Sequence, residues 1–482
     1  MPSRLGCAAL TALLAAPAAL AAGATSLTIY HADGDALFTG GSPGTLDAGH
    51  AVVHEQRELN VASGGHDIRI DGLPSTVDPE AIMVGFGSNQ DIDVLGQRVL
   101  LGKTGAGAVG HEVTVSGIGG SGASGGSITG ELVGASQNGQ IVRTPDGALH
   151  LIHQYATMTM PKDAYSRGST LVLDVDAKSA GQRDAQLTYT TAGLGWRAAY
   201  SAMLAQGGAC RMQLKPEASI ANRSGRDYDA VGIQLVAGQP NLGNRPRMYN
   251  SIMSKGPTPT AAQAMPVQAP LGDYRSFTLP GAVTLPTDTV TLTPLYPPRE
   301  LGCDRAYVVE DGNVGFPPKP NTNDYGAQAY QDRPIASTLA FTAPEALPAG
   351  TLRAWIADHQ GAPALLGEGG IADTPKGQRV DVQLGQSFDL RASRERTAFH
   401  VDASAHRMTE SYRMALANGG DVARTVTVRE HPDRWREWRV TESSSKPAKQ
   451  TPQLLEFQVP VPAHGDATLT WTVQYVWTAQ DL

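Results

Sequence analysis

The sequence predicts a mainly β protein, with tandem β-sandwich modules, one small β-barrel module and long mobile loops. Three observations carry this expectation. Apolar and polar residues alternate in runs of five to twelve, the period of a half-buried strand. Gly and Pro, 54 and 32 residues, punctuate those runs roughly every ten positions, as between the strands of sandwiches. Segments with a helical period are scarce. The stretch Gly350 to Thr397 shows the pattern well. Leu352, Ala354 and Ile356 alternate with Arg353, Trp355 and Ala357, and Asp358-His359-Gln360-Gly361 makes a turn. After the Thr374-Pro375-Lys376-Gly377 punctuation, Val380, Val382 and Leu384 alternate with polar neighbours up to Gly385.

From the N-terminus, Arg4 precedes an Ala/Leu-rich run from Leu5 to Leu20, and Ala19-Leu20-Ala21 supplies small residues for signal peptidase. Residues 1–21 therefore read as a secretory signal, with cleavage expected after Ala21 or Ala22. Cys7 lies at the start of the apolar run, whereas lipid attachment would need a Cys at its end. No later stretch reaches the ~18 apolar residues of a membrane helix. Export places the chain at the periplasm or cell surface. In that oxidising space the two remaining cysteines, Cys210 and Cys303, are expected to form a disulfide.

Residues 22–92 form an N-terminal β-module, with alternating runs at 51–55, 57–61 and 66–70. Residues 93–160 hold five or so short strands, Val94 to Leu101 and His111 to Val115 among them, which suit a small closed barrel. Residues 161–240 carry longer strands, such as Trp196 to Leu204 and Gln213 to Asn222, as in a sandwich. Residues 241–273 lack any period and are rich in Pro, Gly, Ala, Gln and Met; they read as a mobile excursion. Residues 274–482 complete the last sandwich, interrupted by a second loose stretch at 312–334. In its closing strand Leu469, Trp471, Val473, Tyr475 and Trp477 share one face, which predicts a core strand.

Charge and motifs narrow the function. A formal net charge of −8 disfavours a nucleic-acid partner, whose phosphates would be repelled. Gly105-Ala106-Gly107-Ala108-Val109-Gly110 fits G-x-G-x-x-G, but a strand follows it where a dinucleotide site needs a helix. Five residues separate Gly96 from Gly102-Lys103-Thr104, one too many for a phosphate loop. Gly122-Ala123-Ser124-Gly125-Gly126 fits a nucleophile elbow only through the composition of the Gly/Ser tract around it. His150 and His153 would point to opposite faces of a strand, and no H-E-x-x-H occurs. Neither a cofactor nor a metal is predicted, and no catalytic residue is assigned. The best candidate contact surface is Asp433 to Val440, where Trp435, Arg436 and Trp438 could stack on a sugar or pair as cation and ring. The competing reading puts one of these Trp in the core and the other on the surface.

Several segments resemble the exported bacterial family built on domain of unknown function 4139, related to mucoidy-inhibitor-A-like proteins. They are Leu187 to Tyr200, Ala221 to Tyr228, Leu235 to Gly238, Pro348 to Arg353, Leu366-Gly367-Glu368, Thr374 to Gly377, Leu384 to Leu390, Asp433 to Ser444 and Thr468 to Val476. The resemblance covers about 184–477. Many longer relatives carry a coiled coil before this domain, and this chain has no heptads there. What the resemblance implies is an all-β, envelope-associated protein, and it transfers no mechanism. Two functions remain: a non-catalytic module that binds an envelope protein or polysaccharide, and a hydrolase of envelope glycans or peptides built from scattered carboxylates and His.

Overall fold

The computed structural model describes residues 25–39, 49–87, 91–101, 108–118, 125–136, 139–161, 168–207, 209–238, 267–325 and 331–481. The leader with Cys7, the phosphate-loop-like tripeptide at 102–104, residues 105–107 and 122–124 of the two glycine motifs and the excursion up to residue 266 lie outside them. Within them the chain is almost wholly β, and none of its sheets closes into a barrel. No helix among the described residues is long and apolar enough to cross a membrane.

The N-terminal half interleaves with the family-like segments. Ser26–Tyr30 lies between Ala51–Val61 and Tyr228–Ala237, antiparallel to the first and parallel to the second. Ala51–Val61 then pairs along its whole length with Gly181–Thr191, Ala51 opposite Thr191 and Val61 opposite Gly181. A second sheet runs Thr289–Pro294, Arg211–Asn222, Leu194–Leu204, Gly350–Ala357, Pro363–Ile371. Alternation buries Trp196, Ala198, Tyr200 and Ala202 on Leu194–Leu204 against Leu27, Ile29 and Val53 of the first sheet, in one continuous core. Glycine sets two close crossings. A Cβ on Gly350 would meet the carbonyl oxygen of Ala198 at 2.0 Å, and one on Gly367 would meet that of Leu384 at 1.8 Å. The second crossing seats Pro363–Ile371 on Arg379–Gln386 of the next sheet, and the lack of space there, with a φ of +154°, explains the glycine in Leu366-Gly367-Glu368.

The small unit differs from the expected barrel. Its sheet is open, ordered Thr157–Thr159, Glu112–Ile118, Gly126–Ser136, Gly139–Arg143, Leu149–Ile152. Its edge strands have three and four residues, too short to stagger into a closed cylinder. It buries its own small core of Ala108, Val113, Val115, Leu132, Val142 and Ile152. Ile92–Leu100, which its position in sequence groups with this unit, pairs instead with Ser169–Ala177. Ile92 and Val99 belong to the large core, so the open sheet is an insertion between two paired strands.

The C-terminal sandwich packs two sheets face to face. One runs Arg379–Gln386, Ala336–Thr342, Asp304–Gly312, Arg424–His431, Leu454–Val461, Lys449–Thr451. The other runs Gln331–Arg333, Leu390–Asp402, Arg407–Asn418, Gly465–Val476, Trp438–Ser443. Leu469, Trp471, Val473, Tyr475 and Trp477 all lie in the core between them, as their alternation predicts. Two long strands end in the same turn. Asn222 donates from Nδ2 to the carbonyl of Arg226 and accepts from the Ser224 N–H, at 2.8 and 3.1 Å. Asn418 does the same with Val422 and Gly420, both at 3.0 Å. A buried amide thus replaces the missing ladder partners at each strand end.

Candidate functional site

The disulfide forms between Cys210 and Cys303, whose Cα atoms are 5.0 Å apart. It extends the ladder between Arg211–Asn222 and Arg299–Gly302, where the Cys303 N–H also donates to the Cys210 carbonyl at 3.0 Å. It closes a loop with a sequence separation of 93, a constraint worth about 4–5 kcal/mol in the chain-entropy account.

The three residues of the candidate contact surface divide between the core and the surface. Trp435 is a core residue of the C-terminal sandwich, only 1% exposed, so no ligand reaches its ring. The Arg436 guanidinium lies 4.4 Å from the centre of that ring and pairs with Asp481 at 2.8 Å. Trp438 is half-buried on an edge strand, and its Nε1 donates to the Pro452 carbonyl at 2.7 Å. The side chain that gathers a site is their neighbour, Arg434.

Strand periodicity puts charges where apolar residues belong. The inward face of Leu390–Asp402 reads Leu390, Ala392, Arg394, Arg396; that of Arg407–Asn418 reads Met408, Glu410, Tyr412, Met414, Leu416. Arg424–His431 contributes Val426, Val428 and Glu430. The result is a polar belt at one end of the sandwich core. Arg394 grips Glu430 through Nε and Nη2 and stacks 3.9 Å from the Tyr412 ring centre. Asp311 stands 3.7 Å from Arg394 and pairs with Arg333. Glu410 accepts from Arg434 Nε at 2.7 Å, from Arg396 Nη1 at 3.4 Å and from the Tyr412 hydroxyl at 2.8 Å. Burial pushes the Glu430 carboxyl up to about 7; Arg394 opposes this, while Asp311 and Glu410 add to it. Burial disfavours the charge on Arg394 too, but Glu430, Tyr412 and Asp311 outweigh it and the guanidinium keeps its proton. Burial pushes the Tyr412 hydroxyl up as well, with Glu410 and Glu430 adding to it.

The belt reaches solvent under the segment 313–325, which has neither strand nor helix. That segment belongs to the second loose stretch of the sequence, yet it is pinned. Arg434 Nη1 donates to the carbonyls of Asn321 and Asn323 at 3.0 and 2.8 Å, and Asn321 N–H donates to the Arg434 carbonyl at 3.0 Å. Asn313 Nδ2 donates to Asp433 at 2.7 Å. Asp324 pairs with Arg396 from above, with its side chain 56% exposed against 4% for the arginine. The Phe399 ring sits between the guanidiniums of Arg396 and Arg434, at 4.9 and 4.5 Å, and the 64%-exposed Tyr325 ring lies 5.7 Å from Arg434.

A second buried carboxylate holds the two halves of the first sheet. Glu55 accepts from Arg226 Nη2 at 2.7 Å, from Arg57 at 3.3 Å and from the Tyr189 hydroxyl at 3.3 Å. Burial works against its charge, but Arg226 and then Arg57 outweigh it and hold the carboxyl below its ordinary value. Arg226 lies in the turn shaped by Asn222, so the Ala221 to Tyr228 motif reads as a device that aims one guanidinium at Glu55.

These arrangements can bind, brace and titrate. His150 and His153 of the small open sheet take no part in either belt, and among the described residues no group of three or more His, Cys, Asp or Glu is placed to hold a metal ion. A shallow pocket lined by Leu214, Tyr296, Arg299 and Leu347 has an inner volume of about 10 Å³, room for about one water molecule and not for a small-molecule ligand. No match is found among curated proteins. The family described as Domain of unknown function (DUF4139) matches residues 185–478. That span runs from the Gly181–Thr191 strand, across both Asn turns and the buried belt, to the end of the C-terminal sandwich, and the chain therefore belongs to this family.

Proposed function

We propose that this is an exported protein of the periplasm or cell surface that binds an envelope polysaccharide or protein and catalyses no reaction, and that its family segments relate it to mucoidy-inhibitor-A-like proteins. Export rests on the charged start, apolar run and small residues of the first 21 positions. The observation that carries the binding reading is the edge of the belt, where the exposed Asp324 carboxylate and Tyr325 ring lie over two buried guanidiniums, Arg396 and Arg434, beside the Phe399 ring. Paired Arg with flanking rings suits recognition of a polar, ring-bearing ligand. Export is tested by N-terminal sequencing of the protein recovered outside the cytoplasm, which should begin after Ala21 or Ala22. Binding is tested by retention on immobilised envelope polysaccharides and by capture from an envelope extract. Failure on both overturns it.

A hydrolase is the second reading, favoured by one observation. Glu430, raised to about 7, has the proton affinity of a general acid. Against it, Glu430 and Glu410 are enclosed between the sheets and held by guanidiniums, so a substrate would reach them only if the sandwich opened. Release of reducing ends or peptides from envelope material, lost in Glu430→Gln, would favour this reading over the first.

A further inference from the structure

We infer that Leu149–Ile152, the edge strand of the small open sheet, pairs antiparallel with the same strand of a second copy of this chain and joins two five-stranded sheets into one. This goes beyond the binding reading above and does not depend on it. Leu149–Ile152 pairs on one side with Gly139–Arg143, and among the described residues it has no strand partner on the other. The Thr144 N–H donates to the Ala148 carbonyl at 2.9 Å, which sets the phase of that ladder. Residues 148, 150 and 152 therefore bond inward, and the N–H and C=O groups of Leu149 and Leu151 point outward. The side chains of the same two residues are 62% and 56% exposed and share one face of the sheet. Ile141 stands opposite Leu151 on the next strand, so the apolar row runs up to the open edge.

Open edges are normally blunted by charge, proline or a bulge. Other edge strands of this molecule follow that rule: Lys449–Thr451 carries Lys449 and is followed by Pro452, Gln331–Arg333 carries Asp332 and Arg333, and Val77–Gly85 carries Asp78, Pro79 and Glu80. Leu149–Ile152 has no Asp, Glu, Lys, Arg or Pro, and its register with Gly139–Arg143 is unbroken. Its sequence also names the occupant. Leu149-His150-Leu151 reads the same in both directions, so a twofold axis through residue 150 sets Leu149 against Leu151 of the second copy and Leu151 against its Leu149. In that register the outward N–H and C=O groups of both leucines bond to those of the second copy, and the row Ile141, Leu151 continues into Leu149 of the second copy. One short strand pair buries less than a standard interface, so the dimer is weak and concentration-dependent.

The register is tested by a crosslink. Residue 150 meets its own copy at a non-hydrogen-bonded position, with Cα atoms about 4.5 Å apart, within the span of a disulfide. The full chain, carrying Cys7→Ser so that the leader adds no thiol, is oxidised mildly as His150→Cys or as Thr157→Cys, an exposed control on the opposite edge of the same sheet. His150→Cys should give a covalent dimer and Thr157→Cys should not. Sedimentation of wild type over a micromolar concentration series should show a monomer–dimer equilibrium, and amide exchange over 149–151 should slow as the dimer fills. Leu151→Pro removes an outward N–H without touching the inward ladder, and should weaken the dimer about tenfold or more. Melting curves identify the folded variants; if Leu151→Pro does not fold, the crosslink and the amide exchange decide. A chain that stays monomeric throughout the series, equal crosslinking at 150 and 157, or a dimer unchanged in folded Leu151→Pro overturns the inference. Protection of 149–151 by an added envelope protein, with no pairing between copies, overturns it as well.

Discussion

Replacing Glu430 by Gln should change how stability depends on pH. In the folded chain this carboxyl is raised from 4.5 to about 7, chiefly because it is enclosed between two sheets, with Asp311 and Glu410 nearby. In the unfolded chain it returns to the ordinary carboxylate range. Between those values the folded state holds a proton that the unfolded state has released, so stability falls as pH rises through the window. At about 1.4 kcal/mol per pH unit, the loss amounts to about 3 kcal/mol, most of it between pH 5 and pH 8. The carboxyls held below their ordinary values, Glu55, Asp146, Asp402 and Asp481, lose their stabilising effect as pH falls below about 4.5, outside this window and with the opposite sign. Gln keeps the shape and can still accept from Arg394, but it cannot titrate. Urea unfolding of wild type and Glu430→Gln, each at pH 5 and pH 8, isolates the effect. Wild type should lose about 2–3 kcal/mol more than the variant across that interval. Parallel pH profiles would show that Glu430 is ionised throughout, and the reasoning from burial would then be wrong.

Three other outcomes are expected. Cys210→Ser with Cys303→Ser should lower stability by about 4–5 kcal/mol in denaturant melts, with no matching loss in a sample of wild type kept oxidised. Trp435→Ala should cost about 3–5 kcal/mol because its ring is enclosed in the sandwich core, while Trp438→Ala, on the half-buried edge strand, should cost far less; the same melts compare them. Gly367→Ala should cost about 1–3 kcal/mol or more, since its methyl group would collide with the Leu384 carbonyl, whereas Gly361→Ala, with open space around it, should register only the strain of its left-handed backbone.

What the sequence reveals follows from period and punctuation. Alternation locates most strands and identifies the face of Gly465–Val476 that is buried, because a half-buried sheet writes its geometry every second residue. Pairing is a different kind of information. Nothing within Ile92–Leu100 says that its partner is Ser169–Ala177, nearly eighty residues on, across an inserted sheet. Closure is equally silent, so five short strands read as a barrel when their edges never meet. The belt was legible in principle: Leu-x-Ala-x-Arg-x-Arg, Met-x-Glu-x-Tyr-x-Met-x-Leu and Val-x-Val-x-Glu each break an apolar alternation with a charge on the inward face. Two such charges of opposite sign must be near each other once buried, since an isolated one would be intolerable. Trp435 and Trp438 are the conspicuous residues of their segment, yet Arg434, immediately before them, gathers the site. Tryptophan reports hydrophobic volume, which a core absorbs without comment. A guanidinium that is 7% exposed must instead be answered by partners, here Glu410 and two carbonyls, and so points to them. In this family domain, the charges that interrupt an apolar face are better guides to a site than the aromatics that continue it.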